Sequence, residues 1–133
     1  MPLTNATINV RNLRLRTFIG FNPDEKVKKQ DVVVNIEIDY SINQAVLEDK
    51  IGNVLDYKKI TKQVIDHVER GHFLLLEKLV ADVLTICSEQ PGVNNARVII
   101  DKPHALRFAD SVSLTLDYSR DKTNTLQLME KAS

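Results

Sequence analysis

The ten residues DVVVNIEIDY, Asp31–Tyr40, decide the fold class, because apolar side chains recur at every second position. The apolar residues of one phase are Val32, Val34, Ile36 and Ile38. A period of two places these side chains on one face of a β-strand and the residues between them on the other. The stretch therefore predicts a strand with one buried face.

An interrupted alternation precedes this strand. Ile8 and Val10 share one phase, the phase slips at Arg11-Asn12, and alternation resumes at Leu13. An extra residue in one strand of a pair produces such a slip, so we expect a first strand that carries a β-bulge. The polar segment 20–30 connects this strand to the next.

Two helical patterns follow. Asp56 occupies the N-cap position of the first helix, which ends at Gly71, and Pro91-Gly92 ends the second. The apolar positions are Tyr57, Ile60, Val64 and Val68 in the first helix, and Leu76, Leu79, Val80, Val83 and Cys87 in the second. The second helix is the more apolar, so we expect it to lie against a sheet.

Two further alternating segments complete the order strand, strand, helix, helix, strand, strand. The first contains Val98 and Ile100, and the second runs from Val112 to Tyr118. Hairpins that bracket a helical pair favour an α+β fold with an antiparallel four-stranded sheet and both helices on one face. Such a sheet has two exposed edges, which proteins usually pair or shield, so we expect self-association.

Composition and charge restrict the class of partner. The 133 residues contain 18 Lys plus Arg and 18 Asp plus Glu, so the formal net charge is zero. Bulk charge attracts neither nucleic acid nor membrane, and no apolar run approaches the ~20 residues of a membrane span. We expect a cytoplasmic protein without nucleic-acid or membrane partners, and the lone Cys87 agrees with a reducing compartment. Length predicts one domain, residues 1–118, followed by a polar tail, 119–133, that is a candidate for disorder.

The sequence contains no motif for a metal or a cofactor. The three histidines are scattered, and neither CxxC, GxGxxG, a P-loop nor GxSxG occurs. Metal sites and dinucleotide sites depend on such spacings. We therefore expect a protein that uses neither.

Polar residues at the predicted ends of elements are the candidates for chemistry, because rigid supports hold catalytic groups there. Glu25 lies between the first two strands, Asp56 and Tyr57 begin the first helix, and Lys102 ends the third strand. Each also has a plain structural interpretation. Glu25 would be a solvated loop charge, Asp56 an N-cap, Tyr57 a core aromatic residue and Lys102 an edge charge that discourages aggregation.

Glu77 stands among leucines, after Leu74-Leu75-Leu76 and before Leu79, in the first turn of the second helix. The helix dipole favours a carboxylate there, but burial would require a donor-rich partner. The amidine-like or guanidine-like edge of a heterocycle would supply two hydrogen bonds, as Arg would. The alternative is that Glu77 closes a capping box.

Three segments match a known family: LRLRTFIG at Leu13–Gly20, FLLLEKL at Phe73–Leu79, and DKPHALRFADSVS at Asp101–Ser113. They resemble the dihydroneopterin aldolase and epimerase family of the tunnelling fold, and the resemblance covers residues 8–118. It implies that four protomers form a β-barrel and that two such barrels stack into a homo-octamer with its sites between subunits. His104 stands where the aldolases tend to carry glycine, which favours the epimerases.

The resemblance implies roles for particular residues. The catalytic residues are Glu25, Tyr57 and Lys102, and the substrate-binding residues are Asp56, Leu76 and Glu77. Glu25 precedes Gln30 by five positions, as the catalytic glutamate of the family does. Glu77 would anchor the 2-amino and N3 groups of a pterin. The position of Asp56 varies between family members, so its role stays open.

The implied reaction is a retro-aldol cleavage and its reverse on a 7,8-dihydropterin. The C2' hydroxyl is β to the N5=C6 imine, so loss of its proton lets the C1'–C2' bond break while the ring accepts the electrons. No cofactor is then required. Tyr57 would move the hydroxyl proton, Lys102 would act as acid or base at N5, and Glu25 would orient Lys102. Re-addition after rotation of the aldehyde inverts C2', whereas escape of the aldehyde gives an aldolase.

The resemblance to the epimerases implies that the substrate is a triphosphate of dihydroneopterin. A triphosphate requires cations, and the local candidates are Arg14, Arg16, His104 and Arg107. Two other functions stay open. One is an aldolase of folate biosynthesis that uses the same residues and releases glycolaldehyde. The other is a non-catalytic assembly module that binds a pterin or a nucleotide.

Overall fold

The computed structural model describes residues 4–51 and 54–121 of the chain. The strands within those ranges are β1 (Thr4–Ile19), β2 (Gln30–Ile42), β3 (His72–Phe73), β4 (Val93–Lys102) and β5 (Val112–Ser119). The helices are α1 (Pro23–Val27), α2 (Gln44–Leu47), α3 (Tyr57–Arg70) and α4 (Leu76–Ser88). The strands form one sheet in the order β3-β1-β2-β4-β5. The short helix α1 lies in the segment 20–30, where the sequence predicted a connection, and α2 lies between β2 and α3.

The predicted bulge in β1 is confirmed. Val10 pairs with Ile36 and Leu13 pairs with Val34, so two residues of β1 oppose a single residue of β2. Asn12 adopts a left-handed backbone with φ 55°, and its N–H donates to Asn35 Oδ1 at 2.9 Å. The bulge lets both halves of β1 direct their apolar side chains toward the same face.

The prediction of a four-stranded antiparallel sheet is wrong, because the sheet is mixed and has a fifth strand. His72 and Phe73 pair in parallel with Phe18 and Ile19. The Gly20 N–H extends this contact by donating to the Phe73 carbonyl at 2.9 Å. A strand of two residues is too short to show an alternating pattern, so periodicity could not reveal it.

The predicted α+β class, with α3 and α4 on one face of the sheet, is confirmed. Their buried side chains join those of alternate strand positions in a single core. The fully buried members include Ile36, Ile38, Ile60, Val64, Leu79, Val83, Val98 and Ile100. As predicted, Asp56 caps α3, since its Oδ1 accepts from the Lys59 N–H at 3.1 Å, and Gly71 ends that helix.

The strand register defines two opposite ends of the sheet. Thr17 pairs with Gln30, and Lys102 pairs with Val112, so β1 and β4 finish where β2 and β5 begin. We call this the Lys102 end of the domain. The helix α3 starts at the opposite end, which we call the Tyr57 end, and runs toward β3 beside the last residues of β1.

The boundary of the predicted C-terminal tail falls close to the end of β5 at Ser119. Arg120 still contacts the domain, because its Nη2 donates to the Val93 carbonyl at 2.6 Å. The remainder of the predicted tail, from residue 122 onward, lies outside the described residues. In the described ranges, no helix combines the length and the apolar character that a membrane crossing demands.

Candidate active site

A lysine–carboxylate pair lies at the Lys102 end of the sheet. Lys102 Nζ donates to Glu25 Oε2 at 3.0 Å, and only 13% of the lysine side chain and 21% of the glutamate side chain are exposed. Lys102 follows buried Ile100 at a spacing of two residues, so strand alternation directs it toward the helix-covered face. The end of β4 therefore supports the amine beside the core.

Two groups besides Lys102 hold the Glu25 carboxylate. The Asn22 N–H donates to Oε1 at 3.3 Å, as in a capping box at the start of α1. Gln30 Nε2 donates to Oε2 at 3.2 Å and also to the Ile19 carbonyl at 2.6 Å. Because Gln30 binds both the end of β1 and the carboxylate, it joins the α1 segment to the sheet. The plain interpretation of Glu25 as a solvated loop charge is therefore wrong.

Lys102 lowers the pKa of Glu25 below the ordinary value of a glutamate through their hydrogen bond. Burial opposes this change, while the hydrogen bonds from Gln30 and Asn22 reinforce it. Glu25 is therefore an anion at neutral pH and only accepts hydrogen bonds. Such a carboxylate can hold an ammonium group in one orientation, which suits Lys102 for proton donation to a bound ligand.

Gly20 is a site residue that the sequence reasoning missed. Its φ is +123°, a region that L side chains rarely adopt, and a Cβ atom there would overlap the Glu25 carboxyl group. Only glycine leaves room for the carboxylate against the backbone. A glycine directly between the end of a strand and a Pro-containing loop was the available signal.

The start of α4 brings Glu77 and Leu76 to the same end of the domain. The Phe73 carbonyl accepts a hydrogen bond from the Gly20 N–H, and Glu77 follows Phe73 by four residues. The N-cap residue Leu75 makes no side-chain hydrogen bond, so the alternative in which Glu77 closes a capping box is wrong. Glu77 is exposed in the first turn of the helix and faces the solvent at the N-terminal, positive end of the helix dipole.

Within one chain, Tyr57 and Asp56 do not meet the pair. Both lie at the Tyr57 end, and the 14 residues of α3 separate them from the Lys102 end by about 20 Å. Half of the Tyr57 side chain is exposed, so it is not a core aromatic residue. It lines a surface depression of about 370 Å³ together with Ile51, Val54 and Leu55.

The four predicted phosphate ligands differ in their surroundings. Arg16 Nε lies 3.5 Å from Asp31 Oδ1, and His104 Nε2 lies 3.9 Å from Asp31 Oδ2. Arg107 lies over the ring of Phe108, with its Cζ 5.4 Å from the ring centroid. Arg14 is exposed on β1, two residues before Arg16 and on the same face of the sheet. Asp31 thus lies within 4 Å of two of these side chains, and the sequence reasoning missed it.

The described part of the chain offers no cluster of metal ligands. Across residues 4–51 and 54–121, no group of three or more His, Cys, Asp or Glu side chains could hold a metal ion. The functional groups that the site does offer are those of the pair and of the start of α4.

A fixed lysine–carboxylate pair beside a helix start that presents a second carboxylate defines an α+β protein equipped for acid–base chemistry on a small ligand. The sequence model of the family "FolB: Dihydroneopterin aldolase" matches residues 8–117, so the chain belongs to that family. The resemblance inferred from the sequence is therefore confirmed.

Individual relatives agree with this assignment. The chain is 50% identical over 115 residues to dihydroneopterin triphosphate 2'-epimerase of Escherichia coli K12, and the match covers 86% of this chain and 96% of the relative. The structure of Escherichia coli dihydroneopterin aldolase in complex with neopterin matches with a TM-score of 0.79 at 24% identity, covering 86% of this chain and 99% of that one. This second likeness shows the fold.

A third relative is dihydroneopterin aldolase from Burkholderia thailendensis, whose structure is bound to guanine. It matches with a TM-score of 0.73 at 27% identity and covers 88% of this chain and 93% of its own. The matches extend over nearly all of the domain from β1 to β5.

Proposed function

We propose that this chain is a dihydroneopterin triphosphate 2'-epimerase that converts 7,8-dihydroneopterin triphosphate to 7,8-dihydromonapterin triphosphate. The observation that carries the proposal is the Lys102–Glu25 pair, held at 3.0 Å in a chain that is 50% identical to an enzyme of that name. The pair supplies a proton donor and the anion that orients it. The 2'-hydroxyl of the substrate supplies the proton that must leave.

The proposed reaction proceeds by breaking and remaking the C1'–C2' bond. Tyr57 of a second subunit takes the C2' hydroxyl proton. The C1'–C2' bond then breaks, C2' becomes an aldehyde, and the electron pair of the broken bond moves through C1' and C6 to N5. Lys102 donates a proton to N5, and Glu25 holds its ammonium group in position. Addition of C1' to the other face of the aldehyde reverses each step and leaves C2' inverted.

Glu77 would recognise the pterin ring. A carboxylate accepts two parallel N–H bonds from adjacent donors, and the 2-amino and N3 groups of a pterin present such donors. Guanine, the ligand named for the Burkholderia relative, has the same 2-amino-4-oxopyrimidine edge. Leu76 begins the same helical turn and would contact the ring beside this edge.

Assembly would bring Tyr57 to the pair from a second copy of the chain. The two ends of one chain are about 20 Å apart, and a substrate side chain of three carbons does not span that distance. Exposed apolar side chains lie at both ends, Ile51 at the Tyr57 end and Phe108 at the Lys102 end. These features support the homo-octamer of the tunnelling fold, with Tyr57 and Asp56 of one subunit beside Lys102 of another.

The aldolase of folate biosynthesis is the second candidate, because the family model that matches the chain is named for the aldolase. It would use the same pair and differ only in the fate of the aldehyde. A cytoplasmic location and the absence of nucleic-acid and membrane partners stay predictions from the composition.

A product assay tests the proposal. The purified protein is incubated with 7,8-dihydroneopterin triphosphate, and the products are dephosphorylated, oxidised and resolved as neopterin and monapterin, while free aldehyde is measured in parallel. We expect monapterin with little aldehyde. Aldehyde without monapterin would indicate the aldolase instead.

The variant Lys102→Ala identifies the pair as the source of turnover. We expect it to lose both products, whereas Lys62→Ala, which removes an exposed lysine from α3, retains them. Unchanged turnover in Lys102→Ala would refute the proposed mechanism. If that variant and the wild type both bind the pterin without turnover, the chain is the non-catalytic binding module.

A further inference from the structure

An arginine, a histidine and an aspartate form a cluster at the Lys102 end, on the open face of the sheet. Arg16 and Asp31 are cross-strand partners on β1 and β2, and their side chains lie 3.5 Å apart. His104, in the segment after β4, approaches the other carboxylate oxygen of Asp31 at 3.9 Å. Arg16 Nη2 also donates to the Lys29 carbonyl at 3.1 Å. Asp31 therefore lies within 4 Å of both side chains, and all three side chains are more than half exposed.

This cluster is close to the reacting groups along the chain. His104 follows Lys102 by two residues, so their Cα atoms are at most about 7 Å apart. Asp31 directly follows Gln30, whose amide binds Glu25. The cluster lies on the open face and the pair on the helix-covered face, but Asp31 is the second residue of β2 and His104 follows the end of β4 by two residues, so both lie at the rim of the sheet. A flexible triphosphate can reach one while C2' is beside the other.

The chemistry of the proposed substrate shows why a phosphate-binding cluster near Lys102 would matter. The triphosphate is an ester of the terminal side-chain carbon, C3', so cleavage of the C1'–C2' bond leaves it on the aldehyde fragment. The pterin keeps only C1'. That two-carbon aldehyde either adds back to C1' or leaves, and its triphosphate is the main group by which a protein can hold it. Charge-assisted hydrogen bonds to phosphate slow such departure by about tenfold or more.

We propose that the Arg16–Asp31–His104 cluster determines whether the enzyme epimerises or cleaves, because it holds the triphosphate of the detached aldehyde until C1' adds back to it. This inference rests on the proposed function and adds a determinant of its product. Arg16 and His104 bind the phosphates, and Asp31 is a positioning residue that keeps these two side chains next to each other. Epimerisation of the triphosphate and cleavage of unphosphorylated dihydroneopterin are then properties of the same catalytic groups.

The test is the ratio of released aldehyde to epimer, measured with each substrate for the wild type and for Arg16→Gln/His104→Gln. Both substitutions are on exposed side chains, and unchanged circular dichroism and melting temperature verify the fold. With the triphosphate, we expect the double variant to raise the ratio at least tenfold. With dihydroneopterin, which has no phosphate to hold, we expect its ratio to stay within twofold of the wild type.

The chain offers a matched control in Arg97. It forms the same kind of cross-strand pair on the open face, with its Nε 2.6 Å from Asp117 Oδ1, but precedes Lys102 by five residues, or about 17 Å. Arg97→Gln should leave both ratios unchanged. Asp31→Asn should raise the ratio for the triphosphate several-fold, because Arg16 and His104 lose their common partner. A wild-type ratio in this variant would overturn the positioning role of Asp31.

The outcomes separate this inference from the proposed function. If the wild type epimerises the triphosphate and the double variant only raises the KM without changing the ratio, the cluster merely binds substrate and the inference is wrong. An equal change with both substrates would also overturn it, since the effect would not pass through the phosphates. A wild type that leaves the triphosphate unchanged would refute the proposed function itself, and the inference with it.

Discussion

Replacement of Gly20 by alanine should lower both the stability and the activity of the protein, and the loss of activity should depend on Glu25. The φ of +123° disfavours any L side chain, and the new methyl group would occupy the space of the Glu25 carboxyl group. The carboxylate must then leave the position in which it binds Lys102 at 3.0 Å. Gly20→Ala therefore perturbs the pair without changing either of its members.

Two effects of this substitution have separate magnitudes. A non-glycine residue in a sparsely populated backbone region costs about 1–3 kcal/mol of stability. For a domain of 133 residues that cost corresponds to a fall in melting temperature of about 4–11 °C. Displacement of a positioned catalytic group by about 1 Å costs about 100-fold in kcat, and we expect a loss of that order.

Gly92 provides the matched control, because its φ is also positive, at +83°, but no atom lies within 4 Å of where its Cβ would be. Gly92→Ala should lower the melting temperature through the same backbone cost and leave kcat unchanged. Melting is followed by circular dichroism and turnover by the neopterin and monapterin assay. The comparison separates backbone strain from contact with Glu25.

A double-mutant cycle with Glu25→Ala decides whether the loss of activity passes through the carboxylate. In that background the methyl group added at position 20 has no carboxyl group to displace, so Gly20→Ala should cause no further fall in kcat. Wild-type kcat in Gly20→Ala, or an additive loss in the double variant, would refute the reasoning.

Three further predictions concern the pair, the pterin site and the core. The pKa of Glu25 is lowered by Lys102, so the stability from the pair is complete above the ordinary glutamate pKa of about 4.3 and disappears as the pH falls through the lowered value. The melting temperature of Glu25→Gln should therefore lie below that of the wild type at pH 6–8, and the difference should shrink as the pH falls below the ordinary glutamate pKa; a constant difference would contradict this. Glu77→Gln should weaken pterin binding, measured by calorimetry, by about 10–100-fold, whereas an unchanged Kd would exclude Glu77 as the anchor. Leu79→Ala, at a fully buried position, should lower the free energy of unfolding by about 2–5 kcal/mol in urea titrations, and a loss below about 1 kcal/mol would show that the core adapts.

The features that the sequence predicted correctly have local causes. The bulge at Arg11-Asn12 is visible as a slip in a pattern of period two, and the cap at Asp56 and the stop at Gly71 are residue preferences of helix ends. The missed features depend on contacts between distant segments. The parallel pairing of β3 needs the end of β1 beside it, and the requirement for Gly20 exists only because Glu25 folds back against it.

The same distinction between local signals and long-range contacts applies to the candidate site residues. Their identities could be inferred from the resemblance, but their distribution over the two ends of the domain follows from the order of the elements. A helix of 14 residues separates Tyr57 from β3, so single positions in the sequence do not place Tyr57 about 20 Å from Lys102. Asp31 was overlooked because an acidic residue on an exposed strand face has no distinctive signal until its cross-strand partner Arg16 is known.

The bulge in β1 also determines the geometry of the site, although it lies several residues away from it. Side chains alternate with a period of two, so an odd number of added residues reverses which face every later position occupies. Ile8 and Val10 precede the bulge and Leu15 follows it, yet all three face the core. Without the extra residue, the second half of β1 would direct Arg16 toward the helices and Leu15 toward solvent. The Arg16–Asp31 pair would then be lost from the open face. The bulge that keeps the core continuous therefore also places the Arg16 guanidinium beside the site.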